Sequence, residues 1–446
     1  MALRLSTRLV FASSIRRLSS QATTTATATA TSTSNLPPSF QQSINRDASL
    51  PNPDPSGDSP SATLTAQHLR HMVATYSRPS VMFVKGEGSY LWDLENRKYL
   101  DFTAGIAVNG LGHADPALAR LIADQASTLL HTSNLYFNPW TGALSEQLVQ
   151  KTVQSGGMHD AESVFVCNSG SEANEAAIKF ARKVGKTLDP TGSKYEMVSF
   201  RGSFHGRTMG SLSATPNPKY QEPFSPMVPG FKYGTYNDVA AIPGLVTEKT
   251  CGVIIEPIQG EGGVNVATNE FLIALAKRCR EVGAVLIYDE IQCDIITSAK
   301  ALGNGFPVAA VITNSFVSDK IKIGDHGTTY GGNPMACRIA HHVVERLADA
   351  ALREGVVAKG KMLKEGLEQL RHEFPDLIGE IRGRGLIVGA QLTQDPSPII
   401  KAARERGLLI ITCGTNTLRF VPPLTISDDE IRTGLRILSD AIKSTR

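Results

Sequence analysis

The chain of 446 residues has no long apolar run, no closely spaced cysteine pair and, over its first 46 residues, no acidic side chain. A helix that crosses a membrane needs about 20 apolar residues in succession, so no membrane association is expected. The six cysteines, at positions 167, 251, 279, 293, 337 and 413, form no CxxC pair. Neither a zinc site nor a disulfide framework is indicated, and we expect buried or incidental thiols and no metal.

The acid-free leader, residues 1–46, has the composition of an organelle transit peptide. Arginine and serine among apolar residues, without acids, are typical of import signals, and the first acid is Asp47. The arginines include Arg4, Arg8, Arg16 and Arg17. We predict import into the mitochondrial matrix, with plastids as the second possibility and a basic disordered tail as the plain alternative. Residues 21–34 are of low complexity and are not expected to pack.

The leader also accounts for the basic character of the chain. The formal net charge is +3, and the five arginines of residues 1–46 contribute +5, so residues 47–446 carry −2. A domain that binds nucleic acid through its phosphates needs a basic surface. The charge balance therefore gives no reason to expect a nucleic-acid partner.

Beyond the leader, strand and helix patterns alternate. Candidate strands cover 163–167, 195–200, 251–256 and 284–289, and a helical pattern covers 269–283. Strands that alternate with helices indicate an α/β fold with a mostly parallel sheet and helices on both faces.

Changes in pattern divide this body into three parts. An N-terminal segment, 47–109, contains a predicted β-hairpin at 90–105 that turns at Glu95 and Asn96. Residues 110–335 form the large α/β domain. Residues 336–446 start with long amphipathic helices and end in short strands, which is typical of a smaller α+β domain. We expect the N-terminal segment to pack with this small domain.

The first chemical motif is a strand, a tight turn and a helix, in CNSGSEANEAAIKFARKVG from Cys167 to Gly185. A helix N-terminus offers free N–H groups, Gly170 allows close approach and Ser171 adds a hydroxyl, so a phosphate is a suitable ligand. A plain helix cap in a connecting loop is the simpler alternative.

A second motif, SFHGRT, places an aromatic side chain beside a cation. Phe204 is suited to stack on a planar ring, and Arg207 is suited to clamp a carboxylate through two hydrogen bonds. The alternatives are a core phenylalanine and a solvated arginine.

Three charged residues lie at or after predicted strand ends. Glu261 stands in the glycine-rich EPIQGEGG, Asp289 ends an apolar run, and Lys300 follows only eleven positions later. A carboxylate at that edge needs a cationic partner such as a protonated ring nitrogen, and a lysine in apolar surroundings forms Schiff bases. A solvated acid, a helix cap and a surface lysine are the ordinary alternatives.

Taken in order, these motifs resemble the class III aminotransferases, which depend on pyridoxal 5′-phosphate (PLP). The resemblance starts at about Tyr76, runs to the C-terminus and includes NSGSEANEAA, SFHGRT, EPIQGEGG, DEIQ, SAKALGNGFP, GTTYGGNP and LRFVPP. It implies the aspartate-aminotransferase-like fold, fold type I, and a homodimer.

The resemblance also assigns roles. It implies that PLP is held by Gly170, Ser171, Phe204, Asp289, Gln292, Lys300 and Thr329. Asp289 would keep the ring nitrogen protonated, Lys300 would form the Schiff base and shuttle the substrate proton, and Thr329 would come from the partner subunit. The implied substrate contacts are Arg207, Thr328 and Arg419, with Glu261 as the acid that pairs with Arg419 when no 2-oxoglutarate or glutamate is bound.

The implied reaction moves the δ-amino group of N2-acetylornithine to 2-oxoglutarate and yields N-acetylglutamate 5-semialdehyde and glutamate, a step of arginine biosynthesis. Ornithine, or another amine of the family, is the alternative donor.

The connection between Asp289 and Lys300 departs from the family pattern. Relatives carry a glycine-rich GRTG stretch and further helical sequence there, whereas Cys293 is followed here directly by Asp294, so about 15–20 residues are absent. Because a parallel crossover normally takes a dozen residues or more, we expect the segment near 294–297 not to pair in parallel with 284–289. Two explanations remain open: a missing exon or splice form with a damaged site, which we favour, or a pseudoenzyme that acts as an interaction subunit.

Overall fold

The computed structural model describes residues 51–289 and 294–446. The predictions for the leader and for Gln292 therefore lie outside the described residues.

The strands, in chain order, are β1 Phe83–Glu87, β2 Tyr90–Asp93, β3 Lys98–Asp101, β4 Ala161–Cys167, β5 Glu196–Phe200, β6 Phe231–Gly234, β7 Thr250–Ile255, β8 Ile258–Gln259, β9 Asn265–Val266, β10 Val285–Asp289, β11 Ile295–Ser298, β12 Ala309–Asn314, β13 Ile378–Arg384, β14 Ile387–Leu392, β15 Leu408–Leu409, β16 Ile411–Cys413 and β17 Thr417–Phe420.

The helices are α1 Pro60–Leu69, α2 Ala104–Ala107, α3 Pro116–Thr128, α4 Pro139–Gln154, α5 Gly170–Leu188, α6 Met209–Ser213, α7 Pro218–Gln221, α8 Ile242–Leu245, α9 Asn269–Val282, α10 Ser315–Ser318, α11 Pro334–Leu347, α12 Ala350–Glu373, α13 Ser397–Glu405 and α14 Asp428–Ser444.

The large sheet has seven strands in the order β4-β12-β11-β10-β7-β5-β6. Neighbouring strands from β11 to β6 run parallel, and β12 alone is antiparallel to both of its neighbours. The predicted α/β class with a mostly parallel sheet is confirmed. The carboxyl ends of β4, β5, β7, β10 and β11 therefore meet at one edge, where open α/β sheets bind their ligands.

Helices cover both faces of this sheet because its central strands are apolar on both sides. Successive side chains of a strand point to opposite faces. Ile287 of β10 accordingly packs with the alanine-rich face of α5, and Leu286 packs with α9, whose Phe271 and Leu275 are buried. The small side chains of α5 let that helix lie close to the strands, which brings its N-terminus to the ligand-binding edge.

The predicted hairpin at 90–105 is confirmed by β2 and β3, and Asn96 in the turn has a φ of 58°. Strand β3 also pairs in parallel with β15, so the N-terminal segment shares a sheet with the C-terminal region. A further sheet, β13-β14-β17-β16, packs under α12 and α14 around its own apolar core. The three-part division of residues 47–446 stays a prediction.

Strand β11 pairs in parallel with β10, with Ile295 beside Ile287 and Asp289 beside Thr297. The expectation that this pairing could not form is wrong in this structure. Ile295 lies beside Ile287, which is two positions before Asp289 on the adjacent strand. About 8 Å therefore separates Asp289, where β10 ends, from Ile295, where β11 begins. The six peptide units between Asp289 and Ile295 span up to about 20 Å, so the length of the link does not prevent the return.

Five cysteines, 167, 251, 279, 337 and 413, are buried and unpaired, as expected. Within the described ranges, no helix has the length and apolar character to cross a bilayer. The same residues contain no cluster of three side chains suited to hold a metal ion.

Candidate active site

Asp289 is the centre of a hydrogen-bonded group at the carboxyl edge of the sheet. Its Oδ2 accepts from Nδ1 of His205 at 3.0 Å and from Nδ2 of Asn174 at 2.9 Å, while the Thr297 hydroxyl donates to Oδ1 at 3.3 Å. Burial opposes ionisation of Asp289, but the His205 hydrogen bond and the charges of His205 and Lys300 outweigh it, so the pKa of Asp289 lies below its usual value. The carboxylate is held ionised and oriented, as a partner for a cationic ring nitrogen must be.

The N-terminus of α5 forms the second part of the site. Ser169 caps the helix through its side chain, which accepts from the N–H of Glu172. The N–H groups of Gly170 and Ser171 have no hydrogen-bond partner within the described part of the chain. Gly206 has a φ of 134°, and a Cβ at that position would collide with the Ser171 hydroxyl. Free amides and a close glycine turn make a cradle that suits a phosphate.

Lys300 and Phe204 share a cavity with both of these parts. A cavity of about 340 Å³ is lined by Gly170, Ser171, Phe204, Asp289 and Lys300, among others. Lys300 has a φ of 46°, an uncommon left-handed backbone conformation for a residue with a side chain, and such strain concentrates at functional sites. These five residues were all predicted to bind the cofactor from within one subunit. The structure places them around one cavity.

A larger cavity, of about 640 Å³, continues from Phe204, Asp289 and Lys300 to Arg419 of β17. Arg419 is 6% exposed and pairs through Nη2 with Oε2 of Glu261 at 3.0 Å. Its Nε is buried and has no hydrogen-bond partner among the described residues. A buried guanidinium with an unused donor suits a carboxylate ligand, which accepts two parallel hydrogen bonds.

Three of the predicted contacts, Arg207, Thr328 and Thr329, line neither of these two cavities. The Arg207 guanidinium stacks over the Tyr220 ring, with its carbon 3.7 Å from the ring centroid, and its backbone N–H donates to the Ser171 hydroxyl. The Thr328 hydroxyl accepts from Asn168, directly before the phosphate cradle. Thr329 is exposed at the surface, which suits a residue that reaches a partner subunit.

The residues present fit PLP. The cradle at α5 suits the phosphate, Asp289 suits the ring nitrogen, Phe204 suits the ring face, and Lys300 lies on the wall of the same cavity. The buried Nε2 of His205 has no hydrogen-bond partner among the described residues.

Four contributors to this site escaped sequence-based assignment: Asn174, His205, Glu256 and Thr297. Asn174 donates to both Asp289 and the carbonyl oxygen of His205, and its own oxygen accepts from Thr297. His205, Asn174 and Glu256 stand inside the quoted motifs SFHGRT, NSGSEANEAA and EPIQGEGG, but the motifs alone gave these residues no role. Thr297 lies on β11, outside the quoted motifs, and its proximity to Asp289 depends on the sheet order.

Comparison with known proteins agrees with this geometry. The family model described as "Aminotransferase class-III" matches residues 72–442. The chain is 61% identical to the mitochondrial acetylornithine aminotransferase of Neurospora crassa, over 98% of this chain and 99% of that protein. It is 46% identical to the mitochondrial enzyme of the same name from Saccharomyces cerevisiae, over 83% and 94% of the two chains.

Solved structures of the family confirm fold type I. The ornithine aminotransferase of Toxoplasma gondii superposes with a TM-score of 0.80 at 29% identity, over 86% of this chain and 96% of that one. The N-acetylornithine aminotransferase of Stenotrophomonas maltophilia superposes with a TM-score of 0.71 at 34% identity, over 83% and 98% of the chains.

The Neurospora alignment also bears on the length of this chain. It extends over 456 positions but includes 98% of this chain's 446 residues, which is about 437 residues. About 19 aligned positions therefore have no counterpart here. This number agrees with the 15–20 residues judged absent after Cys293.

Proposed function

The chain belongs to the class III aminotransferase family, and from that premise we propose that it transfers the δ-amino group of N2-acetylornithine to 2-oxoglutarate. The products are N-acetylglutamate 5-semialdehyde and glutamate. The observation that carries the proposal is the shared cavity of Asp289, Lys300 and the phosphate cradle, together with 61% identity to an acetylornithine aminotransferase.

The cofactor of this family is PLP, which supplies an electron-accepting ring when bound. Asp289 would bind the ring nitrogen and keep it protonated, with His205 and Asn174 holding the carboxylate in place. Gly170 and Ser171 would hold the phosphate, and Phe204 would cover the ring. Lys300 would hold the cofactor between turnovers and move the proton at the reacting carbon of the substrate.

Two arginines bind the substrate carboxylates. Arg207 binds the carboxylate that lies far from the reacting carbon, for which its guanidinium has to leave the Tyr220 ring and turn to the cavity. Arg419 binds the carboxylate attached to that carbon. N2-acetylornithine reacts at its δ-carbon, which bears no carboxylate, whereas 2-oxoglutarate and glutamate bear one there. Glu261 pairs with Arg419 while the amine donor reacts. In the other half-reaction, the carboxylate of 2-oxoglutarate or glutamate takes the place of Glu261 on Arg419. Thr328 contacts the substrate from the loop beside Asn168.

The active form in this proposal is a homodimer. Large apolar side chains are exposed around the Thr329 loop: Leu135 at 84%, Tyr136 at 73%, Phe137 at 106% and Tyr330 at 65%. Such a patch marks an interaction surface. A second copy placed there receives Thr329 as its phosphate ligand and covers the patch.

Residues 1–46 direct the protein to mitochondria, and their composition supports that location, as does the word "mitochondrial" in the names of the fungal relatives. The reaction then takes place in the matrix and serves arginine biosynthesis.

A second candidate is a catalytically impaired form of the same enzyme, such as a splice product or an interaction subunit. The shortfall of about 19 positions against the Neurospora enzyme favours it. The retention of Asp289, Lys300 and the cradle favours an active site.

Single-turnover measurements on the PLP-loaded protein test the proposal. N2-acetylornithine, ornithine and 4-aminobutyrate are compared as amine donors, each followed by 2-oxoglutarate. We expect the highest kcat/KM with N2-acetylornithine. A higher value for ornithine would move the chain to the ornithine enzymes, and no turnover of any donor would favour the impaired form.

A further inference from the structure

Glu256 is a buried carboxylate to which the proposed reaction gives no part. It directly follows β7, is 9% exposed, and lies on the wall of the larger cavity together with Phe204, Asp289 and Lys300. A charge taken out of water needs hydrogen bonds in exchange.

Both oxygens of Glu256 accept backbone N–H groups, and the two donors belong to different turns. Oε2 accepts from the N–H of Phe204 at 2.9 Å, and Oε1 accepts from the N–H of Gly260 at 3.2 Å. The backbone of Glu256 is fixed in turn, because the Tyr236 hydroxyl donates to its carbonyl oxygen at 2.7 Å. One anchored side chain therefore joins two loops.

These two turns carry the groups that contact cofactor and substrate. Phe204 faces the cavity, and the next residue, His205, bonds to Asp289. Gly260 directly precedes Glu261, the partner of Arg419. We propose that Glu256 is a positioning residue that fastens the Phe204 turn to the Gly260 turn, so that the cofactor-facing ring and the gate acid keep a fixed separation.

The charge of Glu256 makes this fastening sensitive to pH. Burial raises its pKa to about 7, with the charge of His205 lowering the pKa and that of Asp289 raising it. Lys300, which follows β11, is the lysine whose positive charge acts on Glu256 and lowers its pKa. Tyr236, which follows β6, contacts the backbone of Glu256 through its hydroxyl. Above pH 7 the ionised carboxylate accepts both N–H groups. Below pH 7 the protonated form accepts less well at one oxygen, so the fastening weakens as the pH falls.

The first test is hydrogen exchange on the full chain without added cofactor. In Glu256→Gln, one amide nitrogen replaces an accepting oxygen, so one end of the link between the two turns is lost, and we expect about tenfold or faster exchange in peptides covering 203–205 or 259–262. Exchange in β5 should be unchanged. Asp189→Asn is the matched control, since the Asp189 carboxylate also accepts several backbone N–H groups, but in a distant exposed turn. Faster exchange at neither turn, or throughout the chain, would overturn the proposal.

A comparison that needs no variant covers the case in which Glu256→Gln fails to fold. Exchange of the native chain is measured at pH 6 and pH 8 and corrected for the intrinsic pH dependence of exchange. We expect lower protection at pH 6 in at least one of the two turns. Equal protection at the two pH values would contradict the role of the Glu256 carboxylate.

The assignment of the two turns to cofactor and substrate depends on the proposed function, and a separate measurement tests it. In the PLP-loaded protein, Glu256→Gln should change the visible circular dichroism band of the cofactor and raise the KM for 2-oxoglutarate about tenfold, with a smaller loss in kcat. Asp189→Asn should change neither. An inactive native chain would refute the proposed function, whereas the exchange result alone decides whether Glu256 fastens the turns.

Discussion

Nη2 of Arg419, on β17, lies 3.0 Å from Oε2 of Glu261, which stands in the turn between β8 and β9. The two residues are 158 positions apart in the chain and belong to different sheets. The N–H of Gly414 donates to the Glu261 carbonyl oxygen at 2.7 Å, so the turn is also attached through its backbone. The backbone of the turn is thus held independently of the Glu261 side chain.

Replacement of Glu261 by Gln should affect the two half-reactions differently. Without the carboxylate, the buried Arg419 charge stays unpaired while N2-acetylornithine reacts, and an unpaired buried charge costs several kcal/mol. We expect the donor half-reaction to slow about tenfold or more, while the KM for 2-oxoglutarate stays the same or falls. Glu196→Gln, which removes the Glu196–Lys232 ion pair away from the cavities, is the control. Equal slowing of both halves would show that Glu261 does not act as a gate.

Replacement of His205 by Gln should make cofactor binding more sensitive to acid. The pKa of Asp289 is depressed, so its ionised form is present above that pKa and is lost as the pH falls through it. Loss of the His205 hydrogen bond removes one of the causes that lower the pKa of Asp289, so that pKa rises. The midpoint for loss of bound PLP should therefore move to higher pH.

The measurement for this variant is PLP absorbance at equilibrium across pH 4–8. His113→Gln is a matched control, because Nε2 of His113 pairs with Asp101 at 2.8 Å in the N-terminal segment. A shift of the same size in both variants would mean that the effect reflects general stability instead of the Asp289 site.

The sequence predicted local structure well where periodicity and residue type agree. The strand expected at 251–256 is observed at Thr250–Ile255, and the helix expected at 269–283 ends one residue earlier, where Gly283 takes a φ of 63°. The resemblance to the class III aminotransferases also grouped Asp289, Lys300 and Gly170 in one site. The strand and helix assignments rest on short stretches of chain, which is the range over which a periodic pattern carries information.

Contacts that depend on the order of the strands in the sheet could not be predicted from the sequence. Asn174 is on α5, Thr297 is on β11 and Glu256 follows β7, yet all three bond to groups around Asp289 and Phe204. The parallel pairing of β10 with β11 was predicted wrongly, because a statistical rule on crossover length was applied to a link that is long enough to return. Contacts of this kind follow from topology, which a single sequence does not display.

The leader prediction is tested with a reporter fused to residues 1–46. We expect the fusion to enter mitochondria, because the segment is basic, apolar and free of acids. Changing Arg4, Arg8, Arg16 and Arg17 together to Gln should leave the reporter in the cytosol. The same substitutions to Lys preserve the charge and should preserve import. Import of the Gln variant at the native level would refute the transit-peptide assignment.

The last prediction concerns the short link after Asp289. A chimaera that receives a relative's residues between Cys293 and Asp294 should be much more active than the chain as it stands. The larger cavity continues past Lys300 to an apolar wall of Leu148, Ile296, Val344 and Leu347, and a cofactor with its charged substrates has no use for that surface. The insertion lengthens the link that leaves the cavity at Asp289, and added apolar residues there are suited to cover the wall.

Covering the wall excludes water from the site and restrains Lys300, whose backbone is already in a strained conformation. A displacement of about 1 Å at a reacting group costs about a hundredfold in rate, so we expect a gain of that order in kcat/KM for N2-acetylornithine, together with a higher Tm. An inserted glycine–serine segment of equal length is the control, because it lengthens the link without supplying apolar cover. If the chimaera and the native chain turned over at the same rate, the short link would be fully compatible with catalysis, and the active-enzyme proposal would hold for this chain without the missing residues.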